Sequence, residues 1–445
     1  MRILHVVQRY WPYTGGSERH LAAIAERQAA DGHDVTVVTT DALDLELFWS
    51  RQARRVAERR EIHKGVSIAR LPVAHLPLPE LSFPGVRFGT HLLSRSRVAP
   101  TSLLGQLATL TPRVPDLVGW LGSDEARADI VHGMNICFES LLLPARAHAA
   151  RLGVPFVLTP LTHLAEREGD SVSRYYTMRH QLDLVRSADA VMAQTALERD
   201  YLIRQGTDPT RVHIAGVGVD PGPVVGGDPV RFATIYGVRP PFVFYIGTSA
   251  YDKGTVHLVE AMRALWAAGE PSHLVLAGPT LRAFREYLER LPASDRERCH
   301  TLGFIPEEDK RDLLAAGTVF AMPSRTDSFG IVYLEAWLNG VPVIGAKAGG
   351  VPEVIEDGVD GLLVRFGDVG ELASAIRQLL VDQRLRERLG EAGRRKTLAR
   401  FTWDAIYQRI EAVYDRLAAG SVGSTQPPSE AAVAAGTKPH GGTSA

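Results

Sequence analysis

The chain has only two cysteines, Cys137 and Cys299, far apart and each among apolar neighbours. Nothing in that supports a disulfide framework or a thiolate metal site, and both thiols read as core residues of a protein kept in a reducing compartment. Charge of a single sign is lacking as well. Fifty Lys and Arg stand against 51 Asp and Glu, a formal net of −1, so no global attraction to nucleic acid is present. No apolar run approaches the roughly 18 residues of a membrane-spanning helix. The opening MRILHVVQRYW reads as a buried strand whose apolar part is too short for a signal segment. The expectation is a cytoplasmic protein with no nucleic-acid partner, and no internal repeat organises it.

What is present is an alternation. Strand-like ILHVV is followed by the helical SERHLAAIAERQAADG, then DVTVVTT, and later DIVHG, PFVLTP and AVMAQT, a rhythm that predicts a parallel sheet. Residues from about 44 to 120 interrupt it with scattered prolines, and irregular loops with a few helices are expected there. Thr195 to Glu198 reads as a capping box. After Asp220 the segment PGPVVGGDP has the composition of a linker, and a second αβ series begins with FVFYIG. At 445 residues the chain suits two domains of roughly 200 residues each. The expected division is 1–222, 223–400, a helix at 401–419 and a tail at 420–445 too poor in large apolar groups to order itself.

The most informative stretch is SRTDSFGIVYLEAWLNGVPV, Ser324 to Val343. Ile331 to Leu338 reads as a helix stopped by Asn339-Gly340 and Pro342. Asp327 lies before the helix and Glu335 inside it, so both carboxylates can flank its N-terminus. The amides of Gly330, Ile331 and Val332 with the helix dipole make a phosphate seat, whereas the carboxylates suit hydroxyls. A phosphorylated sugar fits both; an ordinary amphipathic helix with a solvated Glu335 is the alternative. Elsewhere, Gly15-Gly16 opens the helix after the first strand and allows close approach of a ligand to backbone, although a plain turn explains it too. Lys253 follows the first strand of the second series, where an ammonium would meet a diphosphate leaving group or else be a solvated surface lysine.

Together with the glycine-punctuated VIGAKAGGVPEVIEDGVDGLLVRFGD, these residues resemble the retaining glycosyltransferases of family 4, which have the GT-B fold of two Rossmann-like domains with parallel sheets facing across a cleft. The resemblance spans nearly the whole chain. It implies an N-terminal domain for the acceptor, a C-terminal domain for a nucleoside-diphosphate sugar, and a last helix crossing back to the first domain. It assigns Gly15 and Gly16 to the donor diphosphate, Lys253 to the leaving group, and Asp327 with Arg325, Ser328, Phe329, Gly330, Ile331 and Val332 to the transferred sugar and phosphates. Glu335 would hold the ribose hydroxyls, Phe304 and Ile305 the base, and His132 and His163 the cleft wall, although both histidines also read as core or loop residues. Thr248 stands where relatives carry an arginine, and Arg325 is the candidate to supply that charge. No D-x-D signature occupies a suitable strand end, so no metal and no other cofactor is expected.

The implied reaction moves a hexosyl unit to an acceptor hydroxyl of a sugar, a lipid-linked sugar or a small molecule, forming an α-glycoside. The alternatives are a degenerate nucleotide-sugar-binding protein and a GT-B epimerase. The stretch RFGTHLLSRSRVAPTSLLGQ at 87–106 mixes arginines with leucines and reads as a solvent face, an acceptor loop, or a peripheral anchor at the inner membrane face.

Overall fold

The central strands are buried along nearly their whole length, polar residues such as His5 and His132 included, and the computed structural model explains why: those strands are covered on both faces, as parallel sheets are. It describes residues 1–423 apart from 14, 97, 163, 165–172, 326 and 328, with side chains described through residue 419. The first sheet contains β1 (Arg2–Val6), β2 (Asp34–Thr40), β3 (Arg60–His63), β4 (Val66–Leu71), β5 (Ile130–Met134), β6 (Phe156–Thr159), β7 (Ala190–Ala193) and β8 (Val212–Ile214). Its order is β3-β4-β2-β1-β5-β6-β7-β8, parallel except for the edge pair β3–β4. The second sheet, β11-β10-β9-β12-β13-β14, is parallel throughout. It is formed by β9 (Phe242–Ile246), β10 (His273–Ala277), β11 (Cys299–Gly303), β12 (Val319–Met322), β13 (Val343–Ala346) and β14 (Gly361–Val364).

The β3–β4 hairpin departs from the expectation of loops and helices across 44–120. Its two-residue turn, Lys64-Gly65, has φ of 48° and 81°, and turns of that hand match the twist of the strands they join. The rest of the interval is helical in part, with helices at Pro79–Ser96 and Thr101–Ala108.

Helix Trp403–Gly423 does cross back. Trp403, Ile406, Ile410, Val413 and Tyr414 join Ile3, Val35, Val37 and Ile130 in the core on one face of the first sheet. The helix continues to Gly423, past the expected end at 419; the expected tail beyond it lies outside the described residues. The chain passes between domains at two places that pair with each other, Val219 N donating to Phe401 O at 2.8 Å and Trp403 N to Val219 O at 3.2 Å. Val217, Val219 and Val224 already belong to the second core, so the expected boundary near 222 falls within this crossing. Among the described residues no helix is long and apolar enough to cross a membrane.

Candidate active site

The carboxyl edges of the two sheets face one another, and between them lies a cavity of about 490 Å3. Ligands of open α/β sheets bind at this edge because the loops there converge while the strands stay fixed. Gly16 and Ser17 line it from the first domain, and Thr248, Lys253, Asp327, Phe329, Gly330, Ile331 and Val332 from the second.

Each part has a local cause. Gly16 begins the helix Gly16–Ala30, and no atom lies within 4 Å of where a Cβ would stand, so its missing side chain leaves the cleft open. Gly15 is needed for another reason: a Cβ there would meet the Tyr13 ring at 2.5 Å and Glu18 at 2.6 Å. Glu18, a residue sequence reasoning passed over, anchors this turn by accepting hydrogen bonds from Gln8 at 3.0 Å, Arg9 at 3.1 Å and Ser17 at 2.8 Å.

Across the cleft, Lys253 ends a short turn closed by Gly254 at φ 75°, where a Cβ would strike the Pro323 carbonyl at 2.2 Å. That close approach sets the turn against the end of β12. Lys253 Nζ then donates to Asp327 Oδ1 at 2.8 Å. The Asp327 loop is fixed from behind, since Gly350 N donates to Asp327 O at 3.1 Å and a Cβ on Gly349 would meet that same oxygen at 2.6 Å. This is the structural reason for glycine at 349. Gly330, at φ 80°, starts the helix Ile331–Leu338 without a side-chain cap, and its amide end opens on the cavity.

A second cavity, of about 320 Å3, adjoins the first through His20 and Ile331 and holds Glu335, Lys310, Glu307 and Arg19. Lys310 Nζ donates to Glu335 Oε1 at 2.7 Å. Arg19 reaches over the cleft to Glu307 at 2.6 Å. Two carboxylate oxygens on either side of the helix start, Asp327 Oδ2 and Glu335 Oε2, are buried with no hydrogen-bond partner. Leaving such an acceptor unpaired costs about 1–3 kcal/mol, more than a partly exposed Lys253–Asp327 pair returns at about 1 kcal/mol or less. The arrangement is therefore poor as a device for stability and well suited to receive hydroxyl donors.

Several expected residues lie elsewhere. His132 is 1% exposed, with Nε2 on Thr159 Oγ1 at 2.8 Å and Nδ1 on the Tyr414 hydroxyl at 2.8 Å. Burial holds it neutral, with its pKa well below the usual histidine range. It is a core residue and cannot serve the cleft. The residue of that segment which does line the cavity is Asn135, held at φ 73° with its Oδ1 buried and unpartnered. Leu161, at φ 52°, lines the cavity beside it. Backbone strain of this kind persists where the surrounding structure enforces it, commonly at ligand sites. His163 and Ser328 lie outside the described residues.

Arg325 is bound to Asp252, at 2.6 Å and 3.0 Å, and lies over the Phe366 ring. It does not line the cavity, so it does not stand in for the arginine absent at Thr248. Thr248 instead uses its carbonyl to accept the Tyr245 hydroxyl at 2.8 Å. Phe304 is 84% exposed, and Ile305 packs against the second core; neither lines either cavity. His20 was missed for want of any motif around it. It is buried, lines both cavities, and burial lowers its pKa to about 4. Among the described residues no cluster of three His, Cys, Asp or Glu could hold a metal ion.

Paired parallel sheets, a cleft between their carboxyl edges and an open helix start at its floor define a two-domain transferase of the GT-B type. The model for Glycosyl transferases group 1 matches residues 231–396, and that for the Glycosyl transferase 4-like domain matches residues 15–218. The α-maltose-1-phosphate synthase of Mycolicibacterium smegmatis is 30% identical over 302 residues, 61% of this chain and 76% of that protein. The α-D-kanosaminyltransferase of Streptomyces kanamyceticus is 31% identical over 280 residues, 59% of this chain and 71% of that one. The crystal structure of Anabaena Alr3699/HepE in complex with UDP-glucose has the same fold, with a TM-score of 0.67 at 21% identity over 94% of this chain and 100% of that chain. The chain belongs to the family 4 type of glycosyltransferases, and it is an enzyme of the transferase class.

Proposed function

We propose that the protein moves a hexosyl unit from a nucleoside-diphosphate sugar to an acceptor hydroxyl with retention, giving an α-glycoside. The observation that carries this reading is the Lys253–Asp327 pair at the open start of helix Ile331–Leu338, opposite Gly16. The ammonium and the helix amides suit a diphosphate whose charge grows as the C1–O bond breaks. In this reading Asp327 Oδ2 receives a hydroxyl of the sugar and Glu335 Oε2 those of a ribose, which is supported by both oxygens being buried and unpartnered. The acceptor oxygen bonds to C1 on the face the phosphate leaves, and its proton passes to a departing phosphate oxygen. That route uses no divalent metal, because Lys253 and the helix start meet the phosphate charge. A UDP-sugar donor agrees with the UDP-glucose named for the Anabaena structure.

The test is incubation with UDP-, GDP- and ADP-glucose and candidate acceptors. Release of nucleoside diphosphate that persists in EDTA, with a small anomeric proton coupling in the product, is the expected result. A β-linked product or full inhibition by EDTA would overturn the corresponding part.

A further inference from the structure

The first domain contains a cavity that nothing above uses. It measures about 620 Å3 and lies under the helix Pro79–Ser96, against the loop after β5. Six aromatic residues line it: Phe48, Trp49, Phe83, Phe138, Tyr175 and Tyr176. They pack in pairs along the lining, with ring centroids 5.7 Å apart for Trp49 on Phe83 and 5.2 Å apart for Phe48 on Phe138. Protein interiors rarely leave apolar space of this size unfilled, and openings of about 300–1,000 Å3 with such walls are typical of small-molecule sites.

Position and charge narrow the occupant. Asn135 lines the catalytic cavity, while Cys137 and Phe138, on the same loop, line this one, so one turn of chain contributes to both spaces. Only Glu80 and Arg87 among the lining residues carry charge, and Arg87 is committed to Glu139 at 3.0 Å and to the Cys137 carbonyl at 3.0 Å. The cavity therefore offers no available cation to a phosphate. Flat aromatic rings stacked face or edge against such walls gain more than their area alone gives.

We infer that this cavity holds the body of the acceptor, and that the acceptor is an uncharged hydroxyl compound carrying a flat apolar ring system. The word acceptor rests on the glycosyltransferase reading above; the ring-binding site does not. With the ring system resting against the packed pair Trp49 and Phe83, a hydroxyl at its edge points toward the turn at Asn135 and the sugar bound beyond it.

The experiment titrates the full chain with 2-naphthol by calorimetry, with glucose 1-phosphate and phosphatidylglycerol vesicles as comparison ligands. Trp49→Ala tests the wall, and Leu45→Arg blocks the opening from a position already exposed, so that its folding is not at stake. Both variants are expected to weaken 2-naphthol at least tenfold, and the wild type with UDP-, GDP- or ADP-glucose is expected to yield a naphthyl glycoside. Naphthol binding within twofold of wild type in both variants overturns the site. Vesicle binding without naphthol binding overturns it in favour of a lipid surface, and transfer to glucose 1-phosphate alone overturns the acceptor class while leaving the transferase reading intact. Naphthol binding that depends on Trp49, with no nucleotide sugar stabilising the chain, overturns the acceptor assignment together with the proposed function.

Discussion

Lys253 Nζ lies 2.8 Å from Asp327 Oδ1, which joins the turn after β9 to the loop after β12 by a charged contact at the floor of the cleft. Asp327 thereby holds the ammonium in place while keeping its second oxygen for a ligand. Lys253→Ala should lower kcat by about 100-fold or more, the usual cost of removing a group that stabilises developing negative charge. Arg325→Ala should leave kcat within about threefold, because its guanidinium serves Asp252 outside the cavity. Equal losses in the two variants would return Arg325 to the leaving-group site.

Glu335 pairs with Lys310 through one oxygen and presents the other, buried, beside the cleft. Glu335→Ala should raise the donor Kd by about tenfold to a hundredfold, the range for hydrogen bonds to a charged group, with kcat at saturating donor changed little. Calorimetric titration of nucleoside diphosphate sugar and of the free diphosphate separates the parts; an unchanged donor Kd rules the role out.

Burial lowers the pKa of His5 and of His20 to about 4 from the usual 6.5. The unfolded chain therefore binds more protons than the folded one between those values, so stability is complete above pH 6.5 and declines as pH falls toward 4. Each histidine contributes a slope of about 1.4 kcal/mol per pH unit in that window. Denaturant titrations at pH 7, 6 and 5 should show the decline, and His20→Leu should make it shallower; equal slopes for variant and wild type would dismiss the assignment.

Glu353, on the short helix Val351–Val354 of the second domain, accepts hydrogen bonds from Ala196 N at 2.5 Å and from Leu197 N at the start of helix Ala196–Arg204 in the first. It is a helix cap supplied across the cleft. Glu353→Ala should widen the mean separation of the domains, seen as a larger radius of gyration in solution scattering, and high salt should act in the same direction on the wild type. No change in either measurement would show that the contact does not hold the cleft.

Much of this was legible from local pattern. The alternation of strands and helices, the helix at 331–338 with its Gly330 start, and the placement of Lys253 after a strand depend on residues near one another in sequence. What escaped depends on distant partners. His132 is removed from the cleft by Tyr414, which only the returning helix brings to it. Arg325 is claimed by Asp252 from another loop. The capping box was right in part: Thr195 accepts from Glu198 N, but the Glu198 carboxylate turns to the amides of Thr162 and Gln194. The hairpin at 60–71 had a signal in Lys64-Gly65 that the prolines following it, from Pro72 on, obscured, whereas the left-handed backbone of Asn135 had only its residue type to signal it.

The pairing of Val219 with Phe401 and Trp403 constrains how the halves can move. Sliding one domain along the other would tear both contacts, whereas swinging about the line that joins them leaves both intact. The enzyme should thus open like a book on its spine, along a single rotational coordinate. Gly218 lies in that spine with its α-carbon so close to Trp403 that a methyl group would meet the indole at 2.6 Å. One added carbon there would push Trp403 away from the spine.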